Sequence, residues 1–164
     1  MTKNQLPGLF YRLSLALAVA LTGCAQVMPN CGAVSSPPIH DLVDSQWELI
    51  RWHYTSSSDH KTRLRKIPQS SYEVPITLVI SPDGKKVSGN AGCNLYTADV
   101  IADERGILID KVASTRKACA PYISELEFKF LSYVSDYRTL VRDGDRLLMM
   151  TRDGEVLSFA LKNK

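Results

Sequence analysis

The residues able to do chemistry are few and scattered. Four cysteines (Cys24, Cys31, Cys93, Cys119) and three histidines (His40, His53, His60) are spread over 164 residues. No Cys-x-x-Cys pair has redox spacing, no two histidines fall at i,i+4 for a metal, and no Cys/His cluster suits zinc. Gly-x-Ser-x-Gly, P-loop and Gly-x-Gly-x-x-Gly words do not occur, so nothing marks a nucleophile elbow or a nucleotide cradle. Asp143, Asp145 and Asp153 sit among turn residues, where short acids are expected for backbone reasons. An acid pair for glycoside hydrolysis stays open, but nothing selects one. The expectation is a chain with no catalytic residue, no metal and no cofactor.

Composition narrows the class further. Lys and Arg number 20 against 17 Asp and Glu, with 45% hydrophobic and 23% charged residues. That is the make-up of one folded domain with a real core, not of a disordered chain. Lys3 and Arg12 fall in a segment read below as removed, which leaves 18 − 17, or +1. A near-neutral module has no electrostatic footprint for nucleic acid.

The N-terminus reads as an address. Lys3 and Arg12 precede the apolar run Leu13–Leu21, too short to span about 30 Å of hydrocarbon and of secretory h-region length. Leu21-Thr22-Gly23-Cys24 follows and is similar to a bacterial lipobox, which implies cleavage before Cys24 and acylation there. Two or more acyl chains anchor stably, whereas one binds marginally. Ala25, rather than Asp, favours the outer membrane. Residues 1–23 are therefore expected to be a lipoprotein signal peptide. Residues 24–45, with Pro29, Gly32, Pro37 and Pro38, are expected to be an anchor and flexible tether.

From residue 46 to 164 one domain is expected. Trp47–Trp52, Val74–Ile80, Lys86–Ser88, Leu95–Ile101, Ile107–Val112, Arg146–Thr151 and Glu155–Leu161 read as strands, with Asp153-Gly154 as a hairpin signal. Ile123, Leu126, Phe130, Val134 and Tyr137 fall on one helical stripe, starting either at Pro121 or at the capping box Ser124–Glu127. Short strands with one helix predict a mainly β, α+β fold: a small antiparallel barrel packed by that helix.

Gly89-Asn90-Ala91-Gly92-Cys93-Asn94 and Thr115-Arg116-Lys117-Ala118-Cys119 are the most distinctive words in the chain. With Trp47, Glu127, Phe130 and Gly144-Asp145 they resemble the META domain family, the HslJ-type heat-shock-associated bacterial lipoproteins. The resemblance runs from about residue 46 to 162. Lys117 stands where the family usually has Met, and the 53–73 stretch is longer than usual. The resemblance implies a lipocalin-like barrel in the cell envelope, linked to heat-shock response and novobiocin resistance, and to virulence or motility in some settings. It implies no reaction.

In an oxidising periplasm Cys93 and Cys119 are most simply a disulfide, with a reactive thiol as the alternative; Cys31 is left over, and its pairing with either stays open. Asn94 and Arg116 are the candidate binding residues, for a ligand or a partner's carboxylate. Their architectural alternative is a turn cap for Asn94 and a local acid or carbonyl partner for Arg116. The cations between His53 and Lys66 read as a solvated loop, with contact to anionic headgroups as the rival. The functional expectation is a lipid-anchored, monomeric module on the periplasmic face of the outer membrane, binding rather than catalysing. An envelope hydrolase or thiol enzyme, and an inhibitor or assembly partner of another envelope protein, are its rivals.

Overall fold

The computed structural model describes residues 36–69, 73–104 and 106–163. Its strands are β1 (Ser45–Thr55), β2 (Thr62–Leu64), β3 (Thr77–Ile80), β4 (Lys86–Asn90), β5 (Leu95–Asp103), β6 (Gly106–Ser114), β7 (Tyr137–Asp143), β8 (Arg146–Thr151) and β9 (Val156–Asn163). The helices are α1 (Ile39–Leu42) and α2 (Pro121–Ser135). The sheet runs β6-β5-β4-β3-β1-β9-β8-β7, with β2 paired to β1 off that path. All pairings are antiparallel, and the sheet curls into a half-barrel.

Alternation builds the core. Leu78 and Ile80, Tyr96 and Ala98, Ile107 and Ile109, Leu147 and Met149, and Leu157 and Phe159 each point inward two residues apart. Ile123, Leu126, Phe130, Tyr133 and Val134 of α2 close over them. Trp47, Trp52, Phe130 and Phe159 are fully buried. The edge strands β6 and β7 share no ladder among the described residues, but the Tyr137 hydroxyl donates to the Ile107 carbonyl between them.

Two expectations need correction here. Tyr137 fits the helical stripe by spacing, yet α2 ends at Ser135 and Tyr137 opens β7. The amide of Asp136 caps α2 by donating to the Ser132 and Tyr133 carbonyls, and its backbone has left the helical region (φ −143°, ψ 52°). The stretch read as the tether's end is also docked. Leu42 is in the core, the Arg142 guanidinium donates to the Asp41 carbonyl, and Trp47 Nε1 donates to Ser45 Oγ at 2.7 Å. Burial of Leu42 is worth about 2 kcal/mol, enough to hold a short segment on the fold. The helix start resolves to Pro121 at N1, with no side-chain cap.

β1 carries a bulge where its pairing with β9 skips from Leu49 to Arg51. Leu49 and Trp52 both face inward, so Ile50 and Arg51 are both left outside. On the other edge of β1, β3 pairs with Ser45–Glu48 and β2 with His53–Thr55. Between them the Leu49 amide donates to the Ile76 carbonyl and the Arg65 amide to the Trp52 carbonyl, both at 2.9 Å.

Gly89 marks a close approach of β4 to β3. A Cβ there would lie 2.1 Å from the Thr77 carbonyl oxygen, closer than any real contact. Gly89→Ala is expected to destabilise the fold by about 2–3 kcal/mol, because backbone must shift to admit one methyl. Urea unfolding at an unchanged slope checks it.

Candidate functional site

Two polar clusters sit on this scaffold. The first is made by the two distinctive sequence words. Gly92 adopts φ +110°, and its amide donates to Asn90 Oδ1 at 2.7 Å, which turns the chain from β4 to β5. Asn94 is 3% exposed, and its polar atoms are spent. Its amide and Nδ2 donate to the two Glu127 carboxylate oxygens at 2.7 and 2.8 Å. Its Oδ1 accepts from Thr115 Oγ1 at 2.8 Å and from the Lys117 amide at 2.7 Å. Cys93 and Cys119 form a disulfide with Cα atoms 6.3 Å apart. Together they tie the β4–β5 turn, the β6–α2 connection and the first turns of α2 into one unit.

Glu127 therefore does not close a capping box; it serves Asn94 instead. Asn94→Ala is expected to cost about 2 kcal/mol, since it leaves a carboxylate and a hydroxyl short of partners. A lowered urea midpoint checks that expectation. Arg116, by contrast, is exposed and has neither an acid nor a carbonyl partner among the described residues. The local pairing considered for it is not made, while Asn94 takes the architectural role.

The second cluster was not legible from residue types. Glu155, buried just after the Asp153-Gly154 turn, accepts from Trp52 Nε1 at 2.5 Å and pairs with Arg65 at 2.8 Å and Lys129 at 2.9 Å. Its own amide donates to Thr151 Oγ1 at 2.8 Å, which sets it in place. The Arg65 guanidinium lies 4.5 Å from the Tyr54 ring centre and 5.2 Å from that of Trp52. Its Nε is buried with no acceptor. Arg65 is thus part of the architecture, which corrects the solvated-loop reading for that residue. His60 and Lys61 are exposed as expected, and Arg63 pairs with Asp59 at 2.7 Å.

Beside this cluster, the edge change along β1 leaves a groove of about 620 Å³, lined by Ile50, Arg51, Trp52, Leu64, Arg65, Lys66, Ile67, Gln69 and Glu73. A smaller hollow of about 270 Å³, between Lys66, Tyr122, Leu126 and Lys129, shares Arg65 and Lys66 with it. Arg65 is committed to Glu155, and Glu73 accepts the Tyr122 hydroxyl at 2.6 Å. Arg51 and Lys66 have no carboxylate partner among the described residues; Lys66 lies 5.5 Å from the Tyr122 ring centre. Ile50 and Leu64 are 37% and 60% exposed at the rim. The arrangement is two cations in excess over one carboxylate, Glu73, beside apolar surface, suited to binding an anion with an apolar portion.

Tyr133 links α2 to the last hairpin through its hydroxyl, which donates to Asp153 at 2.5 Å. Burial, then the Asp153 contact, pushes the Tyr133 phenol well above its ordinary range. For Asp153, burial pushes the carboxyl up, but donation from Thr151 and Tyr133 outweighs it and holds the value below the usual carboxylate range. A carboxyl depressed in the folded state stabilises above its unfolded value of about 3.9, and that contribution is lost as pH falls through the lower folded value. The stability gap between wild type and Tyr133→Phe is therefore expected to narrow below about pH 4, as urea midpoints across pH 2.5–6 would record.

Among the described residues no three His, Cys, Asp or Glu are grouped to hold a metal. No described helix is long and apolar enough to cross a membrane. Cys24 and Cys31 lie outside the described residues, as do the whole of the segment expected to be a signal peptide and the first part of the one expected to be a tether.

The model of the META domain matches residues 40–164. The chain belongs to the META domain family. The match begins just inside α1, in keeping with the docked segment around Leu42. This META domain is similar to an NMR structure of a protein from Burkholderia xenovorans at 22% identity and TM-score 0.64, covering 84% of this chain and 98% of the other. A second NMR structure matches at 17% identity and TM-score 0.54, covering 76% and 94%. These likenesses speak for the fold alone. No curated protein matches the sequence significantly.

Proposed function

We propose that this META-domain chain is a lipid-anchored module of the cell envelope that binds a ligand and performs no catalysis. The observation that carries the reading is the groove at the β1 bulge, where Arg51 and Lys66, without carboxylate partners among the described residues, stand beside exposed Ile50 and Leu64. The conspicuous family residue Asn94 is instead consumed in building the scaffold. Leu21-Thr22-Gly23-Cys24 and Ala25 support acylation on Cys24 and residence on the periplasmic face of the outer membrane. The module works as a monomer, takes no cofactor, contacts no nucleic acid, and contributes to heat and novobiocin tolerance as its family resemblance suggests.

A second reading, an assembly partner or inhibitor of another envelope protein, is favoured by Arg116. That residue is an exposed guanidinium with no acid partner among the described residues, placed to meet a partner's carboxylate.

Metabolic labelling tests the anchor. The full chain takes up labelled palmitate, and Cys24→Ser does not and keeps the size of the uncleaved precursor; equal labelling of the variant contradicts the anchor. A photo-crosslinking amino acid replacing Leu64 in living cells tests the groove. The expected result is an adduct from position 64 that Arg51→Ala with Lys66→Ala abolishes. No adduct there, with a protein-sized adduct from position 116 instead, favours the second reading.

A further inference from the structure

We infer that the groove takes an acidic amphiphile, a single phosphate or carboxylate head held by Arg51 and Lys66 with its apolar chain laid over Ile50, Leu64 and Ile67. The inference rests on the binding reading above and names its ligand class.

Three observations converge on it. The first is the bulge. A regular β1 would alternate, and Ile50 and Arg51 would face opposite sides; the skipped residue in the β9 pairing puts an aliphatic side chain and a guanidinium next to each other on the outside. The second is the charge balance. Of the lining residues, Arg65 pairs with Glu155, which leaves the two cations Arg51 and Lys66 against one carboxylate, Glu73, itself held by the Tyr122 hydroxyl. The lining keeps a net positive charge, which favours an anionic head over a cationic one. The third is the wall. Leu64 is 60% exposed and Ile67 is buried at 7%, so apolar surface runs from rim to floor. A volume of about 620 Å³ falls within the roughly 300–1,000 Å³ of small-molecule sites, room for one amphiphile rather than a bilayer face.

Neither half of such a ligand suffices alone. Inorganic phosphate meets two solvent-exposed cations and is held weakly; an uncharged chain gains only the apolar wall. Both cations bear on the anionic head, so removing both weakens binding by roughly tenfold or more.

The test is a titration of the mature chain, residues 24–164 with Cys24→Ser in place of the acylated cysteine, with dodecyl phosphate below its micelle concentration, followed by amide and indole NMR shifts. Dodecanol, inorganic phosphate and dodecyltrimethylammonium serve as comparison ligands. Expected is saturable binding of dodecyl phosphate that shifts residues 50–52 and 64–67. It is at least tenfold tighter than any comparison ligand, and Arg51→Ala with Lys66→Ala weakens it about tenfold or more. Leu64→Ser weakens dodecyl phosphate and leaves inorganic phosphate unchanged. Arg51→Lys with Lys66→Arg retains binding, which separates loss of charge from loss of fold. Equal binding of dodecyl phosphate and dodecyltrimethylammonium, shifts centred elsewhere, or no saturable response each overturn the inference. The adduct from position 64 reports the groove itself. An adduct without a dodecyl phosphate response therefore rejects the ligand class alone, and absence of both rejects groove and ligand together.

Discussion

Replacing Glu155 with alanine is expected to lower the unfolding free energy by about 3–5 kcal/mol, the loss typical when one partner of a buried ion cluster is removed. Glu155 is 6% exposed and its carboxylate receives three donors, from Trp52, Arg65 and Lys129. Removing it leaves the Trp52 indole N–H without an acceptor inside the core. It also leaves the Arg65 guanidinium between two rings without its counter-ion. The cost is that of stranding donors rather than the net value of the pairs, since a well-packed apolar replacement of a whole ion cluster is often neutral. Glu155→Gln keeps one carbonyl oxygen and is expected to lose less than half as much. Urea unfolding of both variants checks the ordering, and a smaller loss for alanine than for glutamine would show the cluster to be loosely held. Because the same residues back the groove, Glu155→Ala should also disturb any ligand response there.

Removing the Cys93–Cys119 disulfide is expected to cost about 3.5 kcal/mol. The chain-entropy relation gives that figure for a closed loop with a sequence separation of 26. The structure adds a local consequence. The bond holds the β6–α2 connection, which is exposed from Ser114 to Ala118, against the turn that carries Asn94. Without it, Thr115 Oγ1 and the Lys117 amide are the remaining ties of that connection to Asn94. Cys93→Ala with Cys119→Ala should therefore unfold at a lower urea concentration and exchange its 114–120 amides faster than the β8–β9 hairpin. A uniform rise in exchange would contradict the local part of the argument.

Much of this fold was legible residue by residue. The period-2 pattern of Leu157, Phe159 and Leu161 and the Asp153-Gly154 turn marked the last hairpin, and the stripe from Ile123 to Val134 marked α2. Periodicity ran one turn too far at Tyr137, because a stripe cannot report where backbone leaves the helix. β7 and β2 leave no such mark. Tyr137–Asp143 alternates weakly, and the three residues of β2 are all exposed, so neither carries a hydrophobic signal. The site divides in the same way. Cys93, Cys119, Asn94 and Arg116 stand out as words, but only the hydrogen-bond partners distinguish a spent Asn94 from an Arg116 with no partner among the described residues. The Glu155 cluster joins residues 103 and 90 positions apart, which no local pattern encodes. The groove depends on a one-residue slip in β1, equally silent in the sequence.

On the proposed function, survival depends on the groove rather than on Asn94 and Arg116. Complementation of a deletion strain puts this to the test, with heat and novobiocin survival scored at matched protein levels for three versions of the full chain. Wild type and Arg116→Ala are predicted to restore survival, while Arg51→Ala with Lys66→Ala, folded and membrane-bound, is predicted not to. Full rescue by the groove variant together with failure of Arg116→Ala would rule out the groove and move the functional surface to the loop beside the disulfide.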